Sequence, residues 1–137
     1  MKIILLSGNK STGKTSTFHM LYDELTKGVK NPPKKIMEGG SRDFQCVLPY
    51  KGKKVALHSH GDLLYRVYYA PIIYSEVHYL ILAHSKGGIY KNWIINLVKK
   101  KTKHAKHKLI TKTVSNNKAN YSTANMKDCL AIKAAIK

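Results

Sequence analysis

Apolar positions follow two rhythms along this chain. Ile3 to Leu6 form an unbroken apolar run, the signature of a strand buried on both faces. Phe18, Leu21, Tyr22 and Leu25 then fall at i, i+3, i+4 and i+7, one stripe of a helix that Gly28 stops. Residues 28 to 43 keep neither rhythm. Gly28, Asn31-Pro32-Pro33 and Gly39-Gly40 predict a loop there. Two strand-like runs follow, Phe44 to Tyr50 and Lys54 to Ser59, joined through Lys51-Gly52-Lys53 as a hairpin. Pro49 sends the first of them to an antiparallel sheet edge, which sets the second beside the opening strand.

The later half alternates in the same way. Asp62 to Tyr69 reads as a helix with Leu63, Leu64 and Val67 on one side, ended by Pro71. Tyr65, Tyr68, Tyr69 and Tyr74 suit the rim of that helix against a sheet. Val77 to Ala83 is a second unbroken run and predicts a central parallel strand. Tyr90, Trp93, Ile94, Leu97 and Val98 form another helical stripe. Leu109 to Val114 predicts a fifth strand, Ser115 to Lys118 a turn, and Ser122 to Ile136 a last helix that presents Met126, Cys129, Leu130 and Ile136. Strand–loop–helix units in this order predict an α/β fold, a three-layer α/β/α sandwich. Its sheet is mostly parallel, about five strands with one antiparallel edge strand, in a single domain over residues 1–137.

The link between the first strand and the first helix carries the clearest chemistry. It reads Gly8-Asn9-Lys10-Ser11-Thr12-Gly13-Lys14-Thr15, then Ser16. Gly8 allows a sharp exit from the strand, and Gly13 lets the backbone approach an anion. The amides of residues 9 to 15 can then converge on phosphate at the positive end of the helix. This run resembles the Walker A loop of P-loop nucleoside triphosphatases, with every motif position filled. The resemblance implies a P-loop NTPase-like fold that binds a nucleoside triphosphate, ATP, with Mg²⁺. It also implies that Gly8 to Ser16 surround the phosphates, that Lys14 reaches the β- and γ-phosphates, and that the Thr15 hydroxyl binds Mg²⁺.

The family's other parts are only partly present. P-loop proteins place an aspartate at the end of the third strand, opening Asp-x-x-Gly in small GTPases. Here the string is His58-Ser59-His60-Gly61-Asp62. Gly61 matches the glycine that senses the γ-phosphate. His58 stands where the aspartate is expected, and an imidazole is a poor Mg²⁺ ligand. Asp62 therefore either positions metal or water from a shifted place or caps the next helix. His58 and His60 lack a third zinc ligand of suitable spacing. In the loop, Ser41 can add a second metal contact, and Asp43 can act as a base or a metal ligand. His84-Ser85-Lys86-Gly87-Gly88 replaces the Asn-Lys-x-Asp that reads guanine, although Lys86 can still contact phosphate or base.

Charge adds one question. The chain has 25 Lys+Arg against 7 Asp+Glu, a formal +18 over 137 residues, and its only arginines are Arg42 and Arg66. Lysine so dominates the basic residues, with Lys99 to Lys108 the densest run, that a solvated surface explains the charge better than a nucleic-acid face does. Cys46 and Cys129 are spaced as buried thiols, which suits a reducing cytoplasm. No stretch approaches the length of a membrane span.

Three functions remain open. The first is a slow Mg²⁺-dependent ATPase or nucleotide switch that uses Lys14, Thr15 and Asp62. The second is a small-molecule or nucleoside kinase whose base is Glu38, Asp43 or Asp62. The third is a basic nucleic-acid-binding module with a regulatory nucleotide site.

Overall fold

A computed structural model describes residues 1–37, 41–61, 70–85, 96, 100 and 105–137. The elements are β1 (Lys2–Gly8), α1 (Lys14–Thr26), β2 (Ile36–Met37), β3 (Phe44–Tyr50), β4 (Lys53–His58), β5 (Tyr79–Ser85), β6 (Lys106–Thr111), a 3₁₀ turn (Lys118–Asn120) and α2 (Tyr121–Ala135). The fold is α/β, with one mixed six-stranded sheet in the order β2-β3-β4-β5-β1-β6.

The parallel core is β4, β5, β1 and β6. Ile4 pairs with Ile81 on one side and with Lys108 on the other, and Leu57 pairs with Ile81. Both faces of β1 are buried, as its apolar run requires. Ile4, Leu6, Leu57 and Ile81 pack against Phe18, Leu21 and Leu25 of α1 and against Cys129 and Ile132 of α2. Ile3, Leu5, Ala56, Leu80 and Leu82 form the opposite face with Ala70 and Val77. None of the described helices is long and apolar enough to cross a membrane.

Three expectations change. The sheet has six strands rather than five, because Ile36–Met37 in the expected loop pairs antiparallel with Phe44 and Gln45. Two exposed residues carry no readable period, and the open edge of β3 supplies their partners. The inner hairpin strand, β4, does not lie beside β1, because β5 occupies that place. Finally, β6 starts at Lys106 rather than Leu109. It is an edge strand, so Lys106 and Lys108 can pair with β1 while their ammonium groups stay in water.

The helix expected over 62–69, with Tyr65, Tyr68 and Tyr69, lies outside the described residues, as do Glu38, Asp62, Arg66 and Lys86. So do the Gly87-Gly88 turn, the whole stripe of Tyr90, Trp93, Ile94, Leu97 and Val98, and residues 99 and 101–104 of the basic run.

Candidate phosphate-binding site

The loop between β1 and α1 is held by its own polar groups. Ser11 and Gly13 both adopt left-handed backbone, with φ of 58° and 87°. Thr12 Oγ1 donates to the Asn9 carbonyl at 2.7 Å. Lys14 is 6 % exposed. Its ammonium donates to the Asn9 carbonyl at 2.6 Å and to the Gly8 carbonyl at 3.2 Å. The loop thus curls around a lysine head that could not be buried without oxygen partners. A Cβ on Gly8 would stand 2.6 Å from Lys112 Cβ, so only glycine lets β1 turn this close to the loop after β6.

α1 then presents a bare N-terminus. Its N-cap, Gly13, makes no side-chain cap hydrogen bond, and its first turn has no acidic residue. First-turn amides normally need a side chain, water or ligand to accept from them. Here they border a cavity of about 190 Å³ lined by the loop from Ser11 to Ser16 and, across from it, by Asp43, Ser59 and Gly61. Amides, helix dipole and ammonium make this a place for anionic oxygens.

The facing wall is a short chain of hydroxyls on one carboxylate. Thr15 Oγ1 donates to Asp43 Oδ1 at 2.8 Å, and Ser59 Oγ donates to the same oxygen at 3.0 Å. Ser59 Oγ also accepts from the Phe44 amide at 2.9 Å, and the Ser59 amide donates to the Phe44 carbonyl at 3.0 Å. The start of β3 and the end of β4 are locked together there, with Asp43 aimed at α1. Ser41 accepts from the Asp43 amide through Oγ at 3.2 Å, so it shapes the approach of Asp43 to the site.

The remaining candidates sort by position. His58 is buried in β4 beside Tyr74, with ring centroids 6.3 Å apart, and acts as a strand residue. His60 is half-buried at the following turn. Gly61 borders the cavity, and its amide donates to the Ser59 carbonyl at 2.9 Å. A Cβ there would meet the Ala83 carbonyl at 2.7 Å, so Gly61 is pinned to the end of β5. Asn9 and Lys10 are exposed at the loop's tip, and Ser16 accepts from Arg42 Nη1 at 3.5 Å. Asp62, expected to serve metal or water, lies outside the described residues. The carboxylate found at the site is Asp43.

Behind the loop lies a polar cluster that the sequence pattern hides. Lys112 donates to Asp128 Oδ2 at 2.8 Å and to the Thr113 carbonyl at 2.7 Å. Thr113 donates to the same carboxylate through its amide at 2.8 Å and its hydroxyl at 2.6 Å. Asp128 thereby fixes the chain leaving β6 onto α2. Asn125, one turn earlier on α2, lies over Gly13: its Oδ1 would be 2.6 Å from a Cβ built there. The readable signal was polar residues at 125 and 128 inside a helix face otherwise made of Ala124, Cys129, Ile132 and Ala135.

Among the described residues no group of three or more His, Cys, Asp or Glu could hold a metal. Magnesium does not need one, because it keeps several waters and takes one or two carboxylates with phosphate oxygens. The hard-oxygen set of Thr15, Asp43 and Ser59 has that chemistry. No protein-family model matches this chain, and neither a curated protein nor a solved structure does.

Proposed function

We propose that this chain is a P-loop protein that binds ATP through the loop from Gly8 to Ser16 and hydrolyses it slowly with Mg²⁺, as an ATPase or nucleotide switch. One observation carries the reading: Lys14 and the uncapped start of α1 border one cavity with a carboxylate–hydroxyl wall opposite. The buried faces of β1 and β5, one of them covered by α1 and α2, support a layered P-loop fold. Two buried free thiols suit a cytoplasmic setting.

In this reading Lys14 exchanges the loop carbonyls for phosphate oxygens. The loop amides hold the same oxygens, fixing the phosphate chain against α1. Thr15 and Asp43 would hold Mg²⁺, which supplies positive charge to the β- and γ-phosphate oxygens. Ser59 keeps Asp43 oriented by donating to it. Asp43 is the only carboxylate among the described residues lining the cavity, and it is already committed to two hydroxyls. Among the described lining residues that leaves no dedicated base for the attacking water, which fits slow turnover.

Calorimetric titration with ATP, with and without Mg²⁺, tests this reading in the natural chain and in Lys14→Ala. Mg²⁺-enhanced binding that Lys14→Ala removes while the circular dichroism spectrum is kept is the expected result. Equal ATP affinity in the two proteins overturns the assignment.

A further inference from the structure

A second cavity opens on the other side of the same loop. It encloses about 520 Å³ between Ser11–Gly13, residues 113–116 and the first turns of α2. Ser11, Thr12, Gly13 and Ser16 border both cavities. A ligand with its phosphates in the first therefore has its remaining part carried across Gly13 into the second.

The walls say what that part is. The residues that line the second cavity include no acid and no base among those described. Tyr121 and Asn125 stand one helical turn apart on α2, at i and i+4, on the same face. Tyr121 is 48 % exposed, and Val114 across the cavity is also exposed, so two apolar surfaces flank the opening. Asn125 is 8 % exposed, and its amide makes no hydrogen bond among the described residues. The amide lies within reach of the solvent in this cavity, so an entering ligand can exchange water for its oxygen and nitrogen.

The geometry points to an adenine subsite, in which Tyr121 packs against the face of the base and Asn125 reads its edge. This rests on the ATP-binding reading above and names the specificity of the same site. An amide offers one acceptor and two donor hydrogens, the complement of an adenine amino group beside a ring nitrogen. Guanine presents an N–H and an amino group side by side, which call for a carboxylate, and the described lining has none. Both aromatic and amide come from α2, whose position is fixed by Asp128 on Lys112 and Thr113.

Competition titrations with ATP, GTP, inorganic tripolyphosphate and adenosine test this in the natural chain, Asn125→Ala and Asn125→Asp. The natural chain should bind ATP roughly ten- to a hundredfold more tightly than GTP. Asn125→Ala should erase that preference yet keep its tripolyphosphate affinity, which shows that the loop is intact. Asn125→Asp should reverse the ATP-to-GTP ratio, an outcome that a purely structural asparagine would not give. Equal binding of ATP, GTP and tripolyphosphate, unchanged in Asn125→Ala, overturns the adenine subsite and leaves the phosphate site standing. Failure of tripolyphosphate to bind, with adenosine still bound in an Asn125-dependent way, overturns the phosphate site alone. Failure of ATP, tripolyphosphate and adenosine overturns both.

Discussion

Thr15 at the start of α1 donates its hydroxyl to Asp43, at the entry to β3, at 2.8 Å. The two residues are far apart in the chain, and neither lies on the strand where a P-loop protein is expected to carry its metal aspartate. Because β3 runs antiparallel to β4, its start meets the end of β4, and Gln45 pairs with His58. An acid just before β3 thus reaches the place that His58 leaves without one.

Asp43→Asn preserves shape and a hydrogen-bond acceptor but removes the charge. It should abolish most of the Mg²⁺-dependent part of ATP binding, about tenfold or more, and leave Mg²⁺-free binding nearly unchanged. Asp62→Asn is the direct rival. If titrations show that Asp62→Asn removes the Mg²⁺ effect and Asp43→Asn does not, the shifted-aspartate reading of the sequence is right and the Asp43 assignment fails.

That contest shows what a sequence can carry. The turn from β1 into α1 was legible because its geometry is written in consecutive residues: a strand exit at Gly8, a left-handed Gly13, a lysine and a hydroxyl. Asp43 was visible only as one acid in a polar loop, because its role depends on strand register, which no local pattern encodes. Asn125 and Asp128 were hidden for a different reason. The last helix was read by its apolar stripe, and a buried polar residue within such a stripe is recognised only when its partners, here Lys112, Thr113 and Gly13, are brought beside it. The strand order was lost similarly, since whether β4 or β5 neighbours β1 depends on contacts between distant runs of equal apolarity.

Gly13 should tolerate no side chain. Its φ of 87° costs a non-glycine residue roughly 1–2 kcal/mol, and a Cβ would also press on Asn125 Oδ1 at 2.6 Å. Gly28 provides the control, with φ of 78° and nothing within 4 Å of its Cβ position. Both alanine variants should lose about 1–2 kcal/mol in urea unfolding from backbone strain alone, and Gly13→Ala more. Only Gly13→Ala should also weaken ATP binding. Equal ATP affinity in the two variants would show that Gly13 is conformational and not part of the ligand's path.

Asp128→Ala should be among the most damaging single changes. The Lys112–Asp128 pair is nearly fully buried, with side chains 0 % and 3 % exposed. Removing the carboxylate leaves the Thr113 amide and hydroxyl without their acceptor and the buried ammonium without its counter-charge, a loss of roughly 3–5 kcal/mol. The double variant Lys112→Met/Asp128→Leu, with two apolar side chains of similar size, should recover much of that stability in urea unfolding. A single variant as stable as the double would mean that the buried pair has little role in fixing the chain after β6.

Proton linkage should narrow the stable range from both sides. His19 is held below its usual value of 6.5, first by burial and then by the neighbouring Lys35 and Arg42 charges, against the pull of its bond to the Arg42 carbonyl. In its neutral form Nε2 donates to that carbonyl and Nδ1 accepts from Lys35. The folded state thus resists taking up a proton, so this contribution is complete above about 6.5 and is lost as pH falls through the lowered value. Cys129 behaves oppositely, because burial raises its thiol to about 11. The unfolded chain releases that proton near 9 while the fold retains it, so stability falls as pH rises from about 9 towards 11. Urea unfolding across pH should show both slopes. His19→Gln should flatten the acid side alone, and Cys129→Ala the alkaline side alone. In the native protein at pH 8, thiol-reactive dye should label Cys129 only at the rate of global opening. Fast labelling of Cys129 before unfolding would contradict its place between α1 and α2.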